Sequence, residues 1–88
     1  MFHVGDRVVC IKKYSDSYNL LPGMTGTILS ITDYEKNIGV RWDQDCGGHN
    51  LNCPKECEFG YGLWVTNRHI ELIEELPIKI EDDIFELL

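Results

Sequence analysis

The residues of this chain with the most chemical character lie in one short run, Cys46-x2-His49-x3-Cys53-x3-Cys57. Cys and His are the donors of tetrahedral zinc sites, and a pair such as Gly47-Gly48 lets the backbone fold tightly round an ion. The run lacks the C-x2-C pair on which the recognised zinc patterns rest. The expectation is therefore no metal and no cofactor, with Cys46 and Cys57 as small buried apolar side chains and His49 as a hydrogen-bonding loop residue. The zinc-stabilised reading, with Cys46, His49, Cys53 and Cys57 as ligands, is kept as an alternative. The same run also holds the residue types of a nucleophilic set, Cys46 with His49 and either Asp43 or Asp45. No oxyanion donors or substrate cleft are signalled, and a domain this small seldom holds a pocket of several hundred cubic ångströms. The chain is not expected to be an enzyme.

This run sits inside a longer stretch, residues 39–65, around which the rest is organised. Ile38, Val40 and Trp42 alternate with Gly39 and Arg41, the period of a half-buried strand. Leu63-Trp64-Val65 is a second short strand. Between them lie about twenty residues with neither a helical nor a strand period. A connection that long in a compact domain is usually functional or disordered, and its cysteines and aromatics argue for function.

Elsewhere the chain supplies strands and turns. Val4-Gly5-Asp6-Arg7 is a turn that launches a strand over Val8–Ile11. Leu21-Pro22-Gly23 is a turn, because Pro presets φ at its second position and Gly accepts positive φ at its third. A strand follows over Gly26–Ile31, where Gly26 marks a bulge or bend. Asp33–Asn37 is a polar hairpin connection. Thr66-Asn67-Arg68 reads as one capped helical turn, and His69–Leu72 as a fifth strand. No apolar spacing of three and four persists beyond two turns before residue 73. The fold class is all-β: five short strands forming a small closed barrel over residues 1–73. Its core is predicted to contain Val8, Cys10, Ile28, Ile31, Val40, Trp42, Val65, Ile70 and Leu72.

The 88 residues carry a net charge of −7. Residues 1–70 hold seven basic and eight acidic side chains, a net of −1, and residues 71–88 contribute −6. A nearly neutral body makes direct binding to nucleic acid unexpected, since phosphate contacts need clustered Lys and Arg. The acidic-hydrophobic tail, residues 74–88, has the composition of segments that order on a partner. No apolar run reaches the roughly 18 residues a membrane span needs. No signal peptide is evident, so a reducing cytoplasm and free thiols are expected.

Aromatic side chains are the better functional clue. Tyr14, Tyr18, Trp42, Phe59, Tyr61 and Trp64 exceed what so small a core can bury, and aromatic-lined grooves bind extended peptides. Tyr14 and Tyr18 are expected to be an exposed pair. His49, Asn50, Tyr61 and Trp64 are expected to form a continuous exposed binding patch, joined by Asp82, Asp83 and Phe85 of the tail.

Gly39-Val-Arg-Trp-Asp-Gln-Asp-Cys-Gly47 resembles the CAP-Gly segment that runs from a central strand into a glycine-rich loop. Tyr61–Val65 is similar to that family's return strand, and His69–Leu72 to its closing one. Gly47 matches the first glycine of the family's Gly-Lys-Asn-Asp-Gly loop, while Gly48, His49, Asn50 and Leu51 occupy the other four positions. Gly47-Gly48-His49 and Gly60–Trp64 also resemble mind-bomb-type barrels and short phage and bacterial proteins of that pattern. The resemblance covers residues 4–73 and implies an SH3-like barrel; a CAP-Gly loop reads acidic, aromatic-ending peptide tails. The function expected is non-enzymatic protein–protein interaction through the 43–64 loop and acidic tail, with a partner that is basic or handles nucleic acid. The alternative is a phage-encoded, anti-CRISPR-like inhibitor whose tail occupies the nucleic-acid site of a host enzyme. Oligomeric state is not legible.

Overall fold

A computed structural model describes residues 2–32, 34 and 36–73. The expectations placed on residues 74–88, including Asp82, Asp83 and Phe85, lie outside the described residues. Five strands follow in order: β1 (Arg7–Cys10), β2 (Thr25–Thr32), β3 (Asn37–Trp42), β4 (Gly62–Val65) and β5 (Ile70–Leu72). All neighbours pair antiparallel in one sheet of order β4-β3-β2-β1-β5.

Alternation decides which side chains face inward. Val8, Cys10, Ile28, Ile38, Val40, Trp42, Leu63, Val65 and Ile70 are buried on one face. The opposite face carries Arg7, Thr25, Thr27, Arg41 and Trp64 on the intervening positions. The irregularity in β2 falls between Ile28 and Ser30, not at Gly26. Gly26 is needed for close approach instead, since a Cβ there would stand 2.7 Å from both the Arg41 carbonyl and Val40 Cγ1.

The two launching turns form as their residues dictate. Met24 donates its N–H to the Leu21 carbonyl at 3.1 Å with Gly23 at φ +100°. Asp6 donates to the His3 carbonyl at 3.0 Å with Gly5 at φ +96°. Thr66–His69 is a single β-turn rather than a helical one: His69 N–H reaches the Thr66 carbonyl at 3.0 Å, and Arg68 N–H reaches Thr66 Oγ1 at 3.2 Å. No α-helix occurs among the described residues, so none there could cross a membrane.

The sheet is not closed into the barrel expected from the sequence, because β4 and β5 share no ladder. The pairings make β4 and β5 run in the same sense. Parallel pairing of consecutive strands needs a crossover of a dozen or more residues, and only residues 66–69 join these two. The same connection forces the sheet to curl. A flat five-stranded sheet holds its edges about 19 Å apart, and the five Cα steps from Val65 to Ile70 reach at most about 18 Å. The connector must also return to the start of β5, so a flat sheet cannot accommodate it.

The enclosed core departs from the predicted set at its margins. Leu20, Ile38, Cys46 and Leu63 belong to it, while Ile31 only packs against it. Leu72 lies opposite Val8 on the three-residue edge strand and is 39% exposed.

Candidate binding surface

The segment between β3 and β4 is built by its own hydrogen bonds. Cys46 and Gly48 both donate their N–H to the Gly60 carbonyl, at 2.9 and 3.1 Å. His49 and Gly62 exchange two backbone bonds of 2.7 Å, a one-residue bridge on the outer edge of β4. Asn50 Oδ1 accepts from the Asn52 N–H at 2.9 Å, and His49 Nδ1 from the Leu51 N–H at 3.0 Å. Leu51 and Asn52 both take left-handed φ, +57° and +58°, and the Leu51 side chain is buried.

Two glycines make this closure possible. A Cβ on Gly48 would stand 2.0 Å from the Gly62 carbonyl oxygen, and one on Gly62 would stand 2.7 Å from Leu51 Cγ and 2.8 Å from Cys57 Sγ. The segment also anchors a second loop, since Asn19 N–H donates to the Cys46 carbonyl at 2.8 Å.

The thiols serve this packing. All four cysteines are free, and Cys10, Cys46 and Cys57 are buried. Burial pushes the thiols of Cys46 and Cys57 above their ordinary pKa, which disfavours the thiolate that attacks or ligates. Cys46 Sγ donates to the Gly60 carbonyl at 3.4 Å. Among the described residues no three His, Cys, Asp or Glu side chains converge as a metal set. The members of the nucleophilic set each have other hydrogen-bond partners. His49 Nδ1 is taken by Leu51, Asp45 by the Gly47 N–H at 2.8 Å, and Asp43 by Arg7 and Thr25.

The outer face of the sheet carries the ordered polar groups. Asp43 receives Arg7 Nη1 at 2.9 Å, Arg7 Nη2 at 2.5 Å and Thr25 Oγ1 at 2.6 Å. The Arg7 hydrogen bond is the largest cause that holds the Asp43 pKa down to about 2. Arg41 lies over the Tyr61 ring with Cζ 5.8 Å from its centroid, within cation–π range, and its Nη2 is 3.8 Å from Glu58. The Trp64 ring covers Gly39, where a Cβ would meet Cζ3 at 3.0 Å.

The sequence-predicted residues thus have mixed environments. His49, Asn50, Tyr61 and Trp64 are each half-buried. His49 and Gly62 join the loop to β4, and Tyr61 and Trp64 stand on either side of Gly62. Phe59, 76% exposed, is the most open apolar side chain of the loop. Tyr14 is exposed, but Tyr18 packs against the core, with the two ring centroids 6.2 Å apart. Asp43 and Phe59 lie within the 43–64 loop expected to bind the partner, whereas Arg41, on the outer face of β3, was missed. The alternation that places Arg41 and Trp64 on one face was the available signal. Comparison of the chain with protein families, curated proteins and solved structures returns no match.

Proposed function

We propose that the chain is a non-enzymatic protein-binding module whose partner docks on the 43–64 loop and the adjoining outer face, with the acidic tail assisting encounter. The observation that carries this reading is the half-buried Trp64 at the outer edge of β4. His49 satisfies that edge at Gly62. Two residues on, by the period of the strand, Trp64 turns its backbone N–H and C=O to the same side. An aromatic ring beside an edge peptide group is the combination that captures an extended peptide by strand addition. Phe59 and the Arg41–Tyr61 stack extend the surface with apolar area and a held cation.

The loop's internal bonds hold these groups in place before binding, which lowers the ordering cost of association. Distributed charge steers encounter more than it adds affinity, which is the part given to residues 74–88, net charge −5. The test is capture from the native host by the full chain and by Trp64→Ala in parallel. A partner held by the first and lost by the second, then reproduced with purified components, supports the reading. A partner held equally by Trp64→Ala but lost on deleting residues 76–88 overturns it in favour of charge mimicry by the tail.

A further inference from the structure

The other end of β3 has a different character. Lys12, Lys36, Arg68 and His69, with Tyr34, Thr66 and Asn67, line a cleft of about 580 Å³. That is within the range of small-molecule sites. Three of the chain's eight Lys and Arg residues meet there, on a molecule of net charge −7. No carboxylate lines the cleft among the described residues; Asp33 and Glu35, which flank Tyr34 in sequence, lie outside them. The described ion pairs engage Arg7, Lys13, Arg41 and His3, and none engages Lys12, Lys36 or Arg68.

Each cation arrives on a different element: Lys12 after β1, Lys36 before β3, Arg68 in the β4–β5 turn. Converging cations from three segments suit an anion with several acceptor oxygens, and Arg adds a planar donor fork for phosphate. His69 is held in place by a 2.7 Å contact from Nδ1 to Thr66 Oγ1 and by the edge of Tyr14, with ring centroids 5.0 Å apart. Its pKa is lowered by burial first and by the charge of Lys12 second. Tyr34, 95% exposed with φ +54°, offers a bare ring on the cleft wall.

We propose that this cleft binds a small phosphate-bearing ligand with a planar ring, of the nucleoside phosphate class. Lys12, Lys36 and Arg68 take the phosphates, and Tyr34 stacks on the ring. A nucleic-acid strand is the poorer fit. Three cations can displace few counterions, and log affinity scales with the number of phosphates neutralised.

The experiment is an NMR titration of the full chain with adenosine diphosphate, inorganic pyrophosphate, adenosine and a single-stranded oligothymidylate. Adenosine diphosphate is expected to shift the signals of Lys12, Arg68 and His69 and to raise the His69 pKa. Pyrophosphate should do the same at least threefold more weakly, and adenosine more weakly still. Arg68→Gln and Lys36→Gln, both at exposed positions, should each weaken adenosine diphosphate at least fivefold with an unchanged melting temperature. Tyr34→Ala should weaken the diphosphate but not pyrophosphate. Trp64→Ala should change none of these, which separates the cleft from the partner surface. Absence of shifts at a 10-fold molar excess of ligand over protein, up to millimolar ligand, overturns the proposal, as does equal affinity in the charge variants. An oligothymidylate that binds the same residues more tightly than the diphosphate also overturns it, in favour of nucleic acid.

Discussion

The two ends of β3 treat their polar groups in opposite ways. After Trp42 the chain satisfies them internally: Asp43 is bound by Arg7 and Thr25, Asp45 and Asn50 cap nearby backbone N–H groups, and His49 accepts from Leu51. Before Asn37, and across the cleft from it, Lys36, Lys12 and Arg68 enter none of the described ion pairs. A surface whose polar atoms are already bonded offers shape and aromatic area. A surface whose cations enter no described ion pair offers charge. On the proposals made above, one small sheet would carry two recognition chemistries, separated by the length of a six-residue strand.

The comparison breaks most severely at Gly48. With the Gly62 carbonyl oxygen 2.0 Å from the position of a Cβ, Gly48→Ala must part the His49–Gly62 bridge. Overpacking of this kind costs about 2–3 kcal/mol, a fall of roughly 10–20 °C in melting temperature for a domain this small. A calorimetric melt that leaves the midpoint within a degree of wild type would show the loop is looser than its hydrogen bonds imply.

Next in size are Tyr61→Ala and Trp64→Ala, each expected to weaken partner binding by at least about 1–2 kcal/mol, as truncated aromatic anchors do. Circular dichroism checks that the sheet persists, and titration calorimetry with the partner gives the affinity.

Asp43→Asn sharpens the contrast through pH. The folded pKa of Asp43, about 2, lies below its unfolded value of roughly 3.9. Its contribution is therefore present in full above pH ~4 and disappears as pH falls toward 2. The pair is partly exposed, with side-chain exposures of 39% and 38%, so solvent screening keeps the effect below about 1 kcal/mol. Acid denaturation should be shallower between pH 4 and 2 in the variant. An unchanged slope would remove Asp43 from the account of acid stability.

The smallest expected effect is none. Adding a chelator, or replacing Cys53 with Ser, should leave the melting temperature nearly unchanged, because structural zinc couples directly to folding. One zinc per chain by elemental analysis would reassign the thiols.

Local signals carried the strands and turns. Ile38, Val40 and Trp42 alternate, and Pro22-Gly23 dictates its own turn, so these positions were legible without tertiary information. The margins of the core were not. Leu20 and Leu51 lie in irregular segments where no period announces burial, and each is buried by a loop folding on a distant partner. Leu72 has the alternation of a core residue but sits on an edge strand that nothing described covers. Barrel closure failed as a forecast because strand count says nothing of strand sense. Of the candidate surface, His49, Tyr61 and Trp64 were legible as aromatic or polar residues at a strand end. The grouping of Lys12, Lys36 and Arg68 was not, since it exists only once three separate elements have assembled.

The short turn between opposite edges of the sheet also bears on how the fold is reached. Cys10 pairs with Ile70, sixty positions later, the kind of non-local contact that slows folding. Once β1–β4 have curled, however, β5 is tethered to β4 by residues 66–69 alone. Closing a loop of four residues rather than sixty saves roughly 2 kcal/mol of chain entropy on the logarithmic scaling. The search of β5 for β1 becomes short-range at the moment it is needed, so separation along the chain overstates the barrier. The three-residue β5 is then the natural last strand to dock and the first to open, with the amides of Ile11 and Ile73, bonded to His69 and Arg7, exchanging ahead of the central ladder.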